Sequence, residues 1–405
     1  MKIKINININ KTLEYLIVIN LILLSGTIYS VVFFNVLYFY SVLVLLMYQI
    51  RKRFLCRREL IIFFVFVCVS LLILLGNRIF SLTETSIEYV TFFLRLFISA
   101  LSVCFLASNK GKIITMIIDA FYGIGIVSII GWLLSLVISW PAITLNSGVT
   151  YNNVFFLHFY AWSENIGAVP IPRNCGIFWE PGVLAVYMNL LLLMYLFQIC
   201  NIKRALLSSF AILTTFSTTG ILLSAILWFY FIKKSLIITR KKKVVISLCM
   251  IIPLFILGYF SLSSKVNQSE VVSSYGLRTL DLYTGVMVTK DHLWLGVGLD
   301  KNLLLDNIYM NLPFEFGQFE SMLDRGNSNS IAQLFMMFGL PVSFLVLYLM
   351  YYQEIVYNKK LAFFVIFVSL CTEPLLYSPF FLSILYLGYR NRIYHRFYSY
   401  EFINK

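Results

Sequence analysis

Long apolar runs separated by short basic clusters dominate the chain, and their spacing predicts its elements. Uncharged stretches of about 17 to 25 residues can cross a bilayer as helices, and such stretches recur from one end of the sequence to the other. The apolar stretch from Leu13 to Ile50 is too long for a signal-peptide core and predicts two helices, closed by Arg51, Lys52, Arg53, Arg57 and Arg58. Helices follow at about 60–76, 89–107 and 113–139, the last ended by Trp140-Pro141. A loop at 141–176, rich in Asn, Pro and aromatics, leads to a helix at about 177–199. The segment 205–232 is long for one upright span and divides at its small polar centre, Thr214 to Gly220. Helices at about 244–262 and 328–352 flank Ser263–Asn327, the longest non-membrane stretch, and 361–388 divides at Glu373-Pro374 and Ser378-Pro379. The expected fold class is an all-α polytopic membrane protein of about twelve transmembrane helices. Residues 1–262 would hold helices one to nine, 263–327 a large late loop, and 328–405 helices ten to twelve with an inner C-terminus.

Composition agrees, with 60% hydrophobic and only 12% charged residues among 405. A net charge of +14 would suggest nucleic acid as a partner for a soluble chain, but here the basic residues lie between apolar spans. Of the 32 Lys and Arg, 24 fall on one side of the topology, which makes that side the cytoplasm and excludes the nucleic-acid reading. The stretch 263–327 carries eight carboxylates against five Lys and Arg, unlike every cytoplasmic loop. Seven cysteines show neither a disulfide framework nor a CxxC pattern, and no phosphate-binding loop, dinucleotide fingerprint, HExxH or internal repeat is present. No cofactor is expected.

The chemistry concentrates in Arg173-Asn174-Cys175-Gly176-Ile177-Phe178-Trp179-Glu180-Pro181-Gly182, which sets an arginine and a carboxylate seven positions apart at the mouth of an apolar helix. Ionisable groups at the edge of the hydrocarbon layer normally face a water-filled cavity. Arg173, Arg278 and Arg325 all face outward on this topology, and the planar guanidinium fork matches phosphate. The alternative is that each pairs with a loop carboxylate or anchors a helix end at lipid headgroups. Glu180 precedes Pro181, a first-turn proline; it is either a general base or a helix cap paired with Arg173. Trp179 and other outer aromatics can stack on sugar rings or sit at the interface, and His292 lies beside the two glycines of Leu295-Gly296-Val297-Gly298. Two outward histidines without clustered cysteines do not assemble a metal site.

Three stretches in this order resemble the O-antigen polymerase and O-antigen ligase superfamily of bacterial inner-membrane enzymes. They are Arg173 to Gly182 with its helix, Arg278 leading to Leu295-Gly296-Val297-Gly298, and Asn327-Ser328-Asn329-Ser330 opening a helix that reaches Gly339-Leu340. The resemblance implies a GT-C-like membrane fold with periplasmic loops near 141–176 and at 263–327. It also implies metal-independent, inverting glycosyl transfer from an undecaprenyl-pyrophosphate-linked oligosaccharide at the periplasmic face. Arg173 and Arg278 fall where the family keeps pyrophosphate-binding arginines, and Asn329 falls on the asparagine of a His-Asn pair whose histidine is Ser328 here. Catalytic roles go to Arg173, Glu180 and Arg278, substrate binding to Trp179, His292, Arg325 and Asn329, and the implied partners are membrane lipid and a chain-length regulator protein. Trp179-Glu180-Pro181-Gly182 is closer to the polymerase branch (Wzy type) than to the ligases. A ligase transferring glycan to lipid A core, or a flippase for lipid-linked oligosaccharide, stands as the alternative.

Overall fold

A computed structural model describes residues 9–52, 57–81, 87–106, 110–138, 142–144, 150–154, 158–163, 171–234, 274–311 and 327–403. The expected helices at 244–262 and the site residue Arg325 lie outside the described residues. The chain is predominantly helical, and among the described residues six helices are long and apolar enough to cross a membrane. It is a membrane protein by that measure. The elements are α1 (Ile9–Leu23), α2 (Ile28–Val32), α3 (Phe34–Lys52), α4 (Arg57–Ser81), α5 (Ile87–Leu106) and α6 (Lys110–Ser135), then four strands, α7 (Pro181–Met194) and a π-turn (Tyr195–Ile199). After these come α8 (Ile202–Thr214), α9 (Thr218–Lys234), α10 (Ser274–Asp291), α11 (Lys301–Met310), α12 (Ser330–Tyr351), α13 (Lys359–Thr372) and α14 (Pro379–Ile403).

The chain forms two compact units that interleave in sequence: 1–120 with 346–355 and 377–405, and 121–345 with 356–376. In the first unit α5 packs on α14 and α4, and α1 packs on α3. Its polar centre is Glu59 of α4, buried at 7% exposure, which accepts from Arg390 Nε at 2.9 Å and Nη2 at 2.6 Å and from the Tyr394 hydroxyl. The Arg390 guanidinium also lies 4.7 Å from the Tyr394 ring centroid, so α4 and α14 are joined through a carboxylate whose two oxygens both accept hydrogen bonds.

The second unit departs from an all-helical expectation. The stretch 141–176, anticipated as a loop, contains a four-stranded antiparallel sheet in the order β1 (Ala142–Thr144), β2 (Thr150–Val154), β3 (His158–Ser163) and β4 (Ile171–Gly176). The stretch 263–327 likewise contains α10 and α11. At the centre lies α7, in which every residue but Gly182 is buried, as its continuous apolar sequence requires. Phe178 stacks on Tyr187 of α7 at 4.6 Å, fixing the turn that carries the chain from the sheet into the helix. The division expected at Thr214 to Gly220 separates α8 from α9, and Gly220 lets α9 approach Ala185 of α7 so closely that a Cβ would overlap it.

Helix α12 is broken at Gly339, whose φ of 69° lies in the left-handed region, and Pro341 removes a donor just beyond it. In an unbroken helix the carbonyls of Met336 and Met337 would accept from positions 340 and 341. Instead they accept from Val297 N at 2.8 Å and Gly298 N at 3.1 Å, while Leu340 N donates to Leu293 O at 2.7 Å. Gly296 and Gly339 sit at this crossing, where a Cβ on either would overlap the opposing backbone. The segment after α10 therefore replaces the hydrogen bonds that the break removes, satisfying backbone that would otherwise be costly to bury.

Candidate active site

β4 delivers two polar side chains to the mouth of α7. Asn174, 0% exposed, is wholly committed to structure: Nδ2 donates to Ser128 O at 3.2 Å and Thr214 Oγ1 at 2.8 Å, and Oδ1 accepts from Gly176 N at 2.9 Å. It ties the strand to α6 and α8. Arg173, half-buried, donates through Nε to the carbonyl of Thr215 at 3.2 Å. Thr215 is the C-cap of α8, the negative end of that helix dipole. No carboxylate lies within ion-pair distance of Arg173 among the described residues, so its terminal nitrogens remain available.

Glu180 occupies the N-cap position of α7 with extended backbone (φ −138°, ψ 149°) and Pro181 follows at the first helical position. Its side chain makes no capping hydrogen bond and is exposed. The structural alternative weighed for it, a cap paired with Arg173, is therefore not the arrangement found. The carboxylate that Glu180 does meet is Glu373, at the end of α13 in the turn before α14 and outside the apolar spans. Burial pushes the Glu373 carboxyl above the ordinary carboxylate range and the Glu180 charge pushes it further, against the opposite pull of Arg278 and Arg173. Its Oε2 is buried without a donor among the described residues, so a proton on that oxygen would be its natural satisfaction.

Gly182 makes room for this carboxyl, since a Cβ there would overlap the end of the Glu373 side chain. The fourth charge comes from α10: Arg278 Nη2 lies 3.5 Å from Glu373 Oε1, with 37% of the arginine side chain exposed against 4% of the glutamate side chain. Thus Arg173, Glu180, Arg278 and Glu373, drawn from three separated segments, form one electrostatic cluster at the start of α7.

The stretch Asn327-Ser328-Asn329-Ser330 acts as a two-sided clip beneath the cluster. On one side Ser328 donates to Asp281 Oδ2 through both its amide, at 2.9 Å, and its hydroxyl, and Asn327 Nδ2 donates to Asp281 O at 3.2 Å. Asp281 stands one turn from Arg278 on α10, so these bonds hold the arginine's helix. On the other side Ser330 Oγ donates to Glu373 O at 2.7 Å and accepts from Leu376 N at 3.2 Å, fixing the turn that carries Glu373. Asn329 caps α12, its Oδ1 accepting from Ile331 N and Ala332 N, both at 3.0 Å.

Other sequence candidates fall elsewhere. His292 lies at the far end of α10, about 21 Å along the helix from Arg278 at 1.5 Å per residue; it is exposed and pairs with Asn307 Oδ1 at 3.1 Å. Trp179 is half-buried beside Glu180. His158 is buried against Gly131, and burial lowers its ring to about 4, so it is neutral. The site residue missed from sequence is Glu373. Its signal in the sequence is a lone carboxylate within the apolar stretch 361–388, at the point where that stretch breaks. No protein-family model and no curated protein matches this chain.

Proposed function

We propose that the cluster at the mouth of α7 is the active site of a glycosyltransferase that polymerises oligosaccharide repeat units carried on undecaprenyl pyrophosphate, within a GT-C-like scaffold of about twelve spans. The observation that supports this most is the meeting of Arg173 and Arg278 beside two carboxylates at the end of a buried apolar helix. Two guanidinium groups with uncommitted donors suit a pyrophosphate, and an exposed carboxylate that caps nothing suits a proton acceptor.

In the reaction proposed, a hydroxyl at the end of one lipid-linked repeat attacks the anomeric carbon of a second, lipid-linked glycan from the face opposite the pyrophosphate. The new C–O bond forms as the old one breaks, undecaprenyl pyrophosphate leaves with the bonding electrons, and Glu180 takes the hydroxyl proton. Negative charge grows on the leaving group, so Arg173 and Arg278 stabilise the transition state more than the ground state. The site would face the periplasm of a bacterial inner membrane, with a chain-length regulator as partner protein. Purified protein supplied with a single polyprenyl-pyrophosphate-linked repeat tests the reading: a ladder of products is expected. Transfer only to lipid A core would make it a ligase, and the absence of any covalent product would overturn enzymatic transfer in favour of lipid flipping.

A further inference from the structure

Arg278 has a single partner among the described residues, the Glu373 carboxylate, and over a third of its side chain is open. Glu373 is 3% exposed, and one of its oxygens has no donor. The charged groups that act on it are Glu180 from the N-cap of α7, Arg173 from β4 and Arg278 from α10, and with Glu373 ionised the four charges cancel. Asp281, one turn on from Arg278, is held by Ser328. The other elements packed here bring none: α12 has no charged residue, while α8, α9 and α13 carry theirs only at their opposite ends, at Lys203, Arg204, Lys233, Lys234, Lys359 and Lys360.

A pyrophosphate ester brings at least about two negative charges into this balanced cluster and offers Arg278 a better-matched anion than a single carboxylate oxygen at 3.5 Å. A buried carboxylate that loses its cation is relieved by taking up a proton. We propose that Glu373 holds the place of the ligand phosphate on Arg278 and takes up a proton from solvent when a pyrophosphate ester displaces it. The inference rests on the pyrophosphate reading of the site. Glu373 is then a positioning residue. It keeps Arg278 aimed at the mouth of α7, and once protonated it leaves Glu180 as the ionised member of the carboxyl pair, free to accept the acceptor's proton.

The test is calorimetric titration of the full chain in detergent with farnesyl pyrophosphate, from about pH 6 to 9, in two buffers of unlike ionisation heat. Above the folded Glu373 value of about 8 the wild type should take up close to one proton more than Glu373→Gln and its affinity should fall by up to about 10-fold per pH unit relative to that variant, while near pH 6, where the carboxyl already holds its proton, the two should coincide. Protonation of the ligand itself is common to both and cancels. Gly182→Ala, which drives the carboxyl off its seat while retaining it in the chain, should flatten the profile in the same direction. Equal proton uptake and parallel profiles in all three proteins would overturn the inference while leaving pyrophosphate binding intact. Failure of the wild type to bind at all would overturn both.

Discussion

Glu59 and Arg390 in the first unit meet through two hydrogen bonds of 2.6 and 2.9 Å, and Tyr394 adds a third donor to the carboxylate. Arg278 and Glu373 in the second unit meet through one contact at 3.5 Å, with a buried oxygen left over. Both pairs place a carboxylate out of water, but only in the first do both carboxylate oxygens accept hydrogen bonds. A carboxylate held on both oxygens keeps its helices together, whereas one held on a single oxygen can exchange its partner for a ligand. How completely the carboxylate is paired, more than its burial, separates the clamp from the candidate site.

The sharpest way to break the comparison is to remove one member of each pair. Glu59→Ala or Arg390→Ala leaves an uncompensated buried charge and should cost about 3–5 kcal/mol, seen as lost yield and a lower thermal midpoint in detergent. Replacing both residues by leucine should recover much of that loss. If the single variants keep the wild-type midpoint, the pair is no clamp. At the site, Arg278→Lys keeps the charge but loses the planar fork, so turnover should fall by about 10-fold or more with the midpoint unchanged.

Gly182→Ala should lower turnover several-fold with the fold intact, because it displaces the Glu373 carboxyl. Since Glu373 is raised above its unfolded value, its favourable contribution to folding is present in acid and lost as the pH rises through its folded value. Glu373→Gln should therefore match the wild-type midpoint in acid and exceed it above that range, in a thermal scan across pH. The smallest effect belongs to His292→Ala: far from Arg278 along α10, it should leave turnover near wild type.

Much of the helical frame could be read from hydropathy. The division of 13–50 between α1 and α3, of which α3 alone is long and apolar enough to span, the break between Thr214 and Gly220, and the break at Glu373-Pro374 all appear where long apolar runs meet polar or proline residues. The sheet could not, because its strands are only three to six residues long and gain their stability from cross-strand bonds that leave little periodic trace. The motifs were visible one by one, but their meeting was not. Gly296 and Gly339 hint at close backbone approach, yet nothing in the sequence says that the loop after α10 mends the break in α12. Gly182 follows a first-turn proline in the sequence, and nothing there marks it as the seat of a carboxyl from the end of α13. Glu373 stayed hidden because its charge partners lie in two distant segments, the stretch 173–180 and α10.

The proposed function requires Arg173 and Arg278 to bind a leaving pyrophosphate rather than to hold the fold. The most direct measurement is product length from a polyprenyl-pyrophosphate-linked repeat, with thermal midpoints recorded alongside, for wild type, Arg173→Ala and Arg278→Ala. The account predicts unchanged midpoints and products collapsed to single repeats in both variants, a loss of about 100-fold or more in transfer. Wild-type ladders from both variants would contradict it.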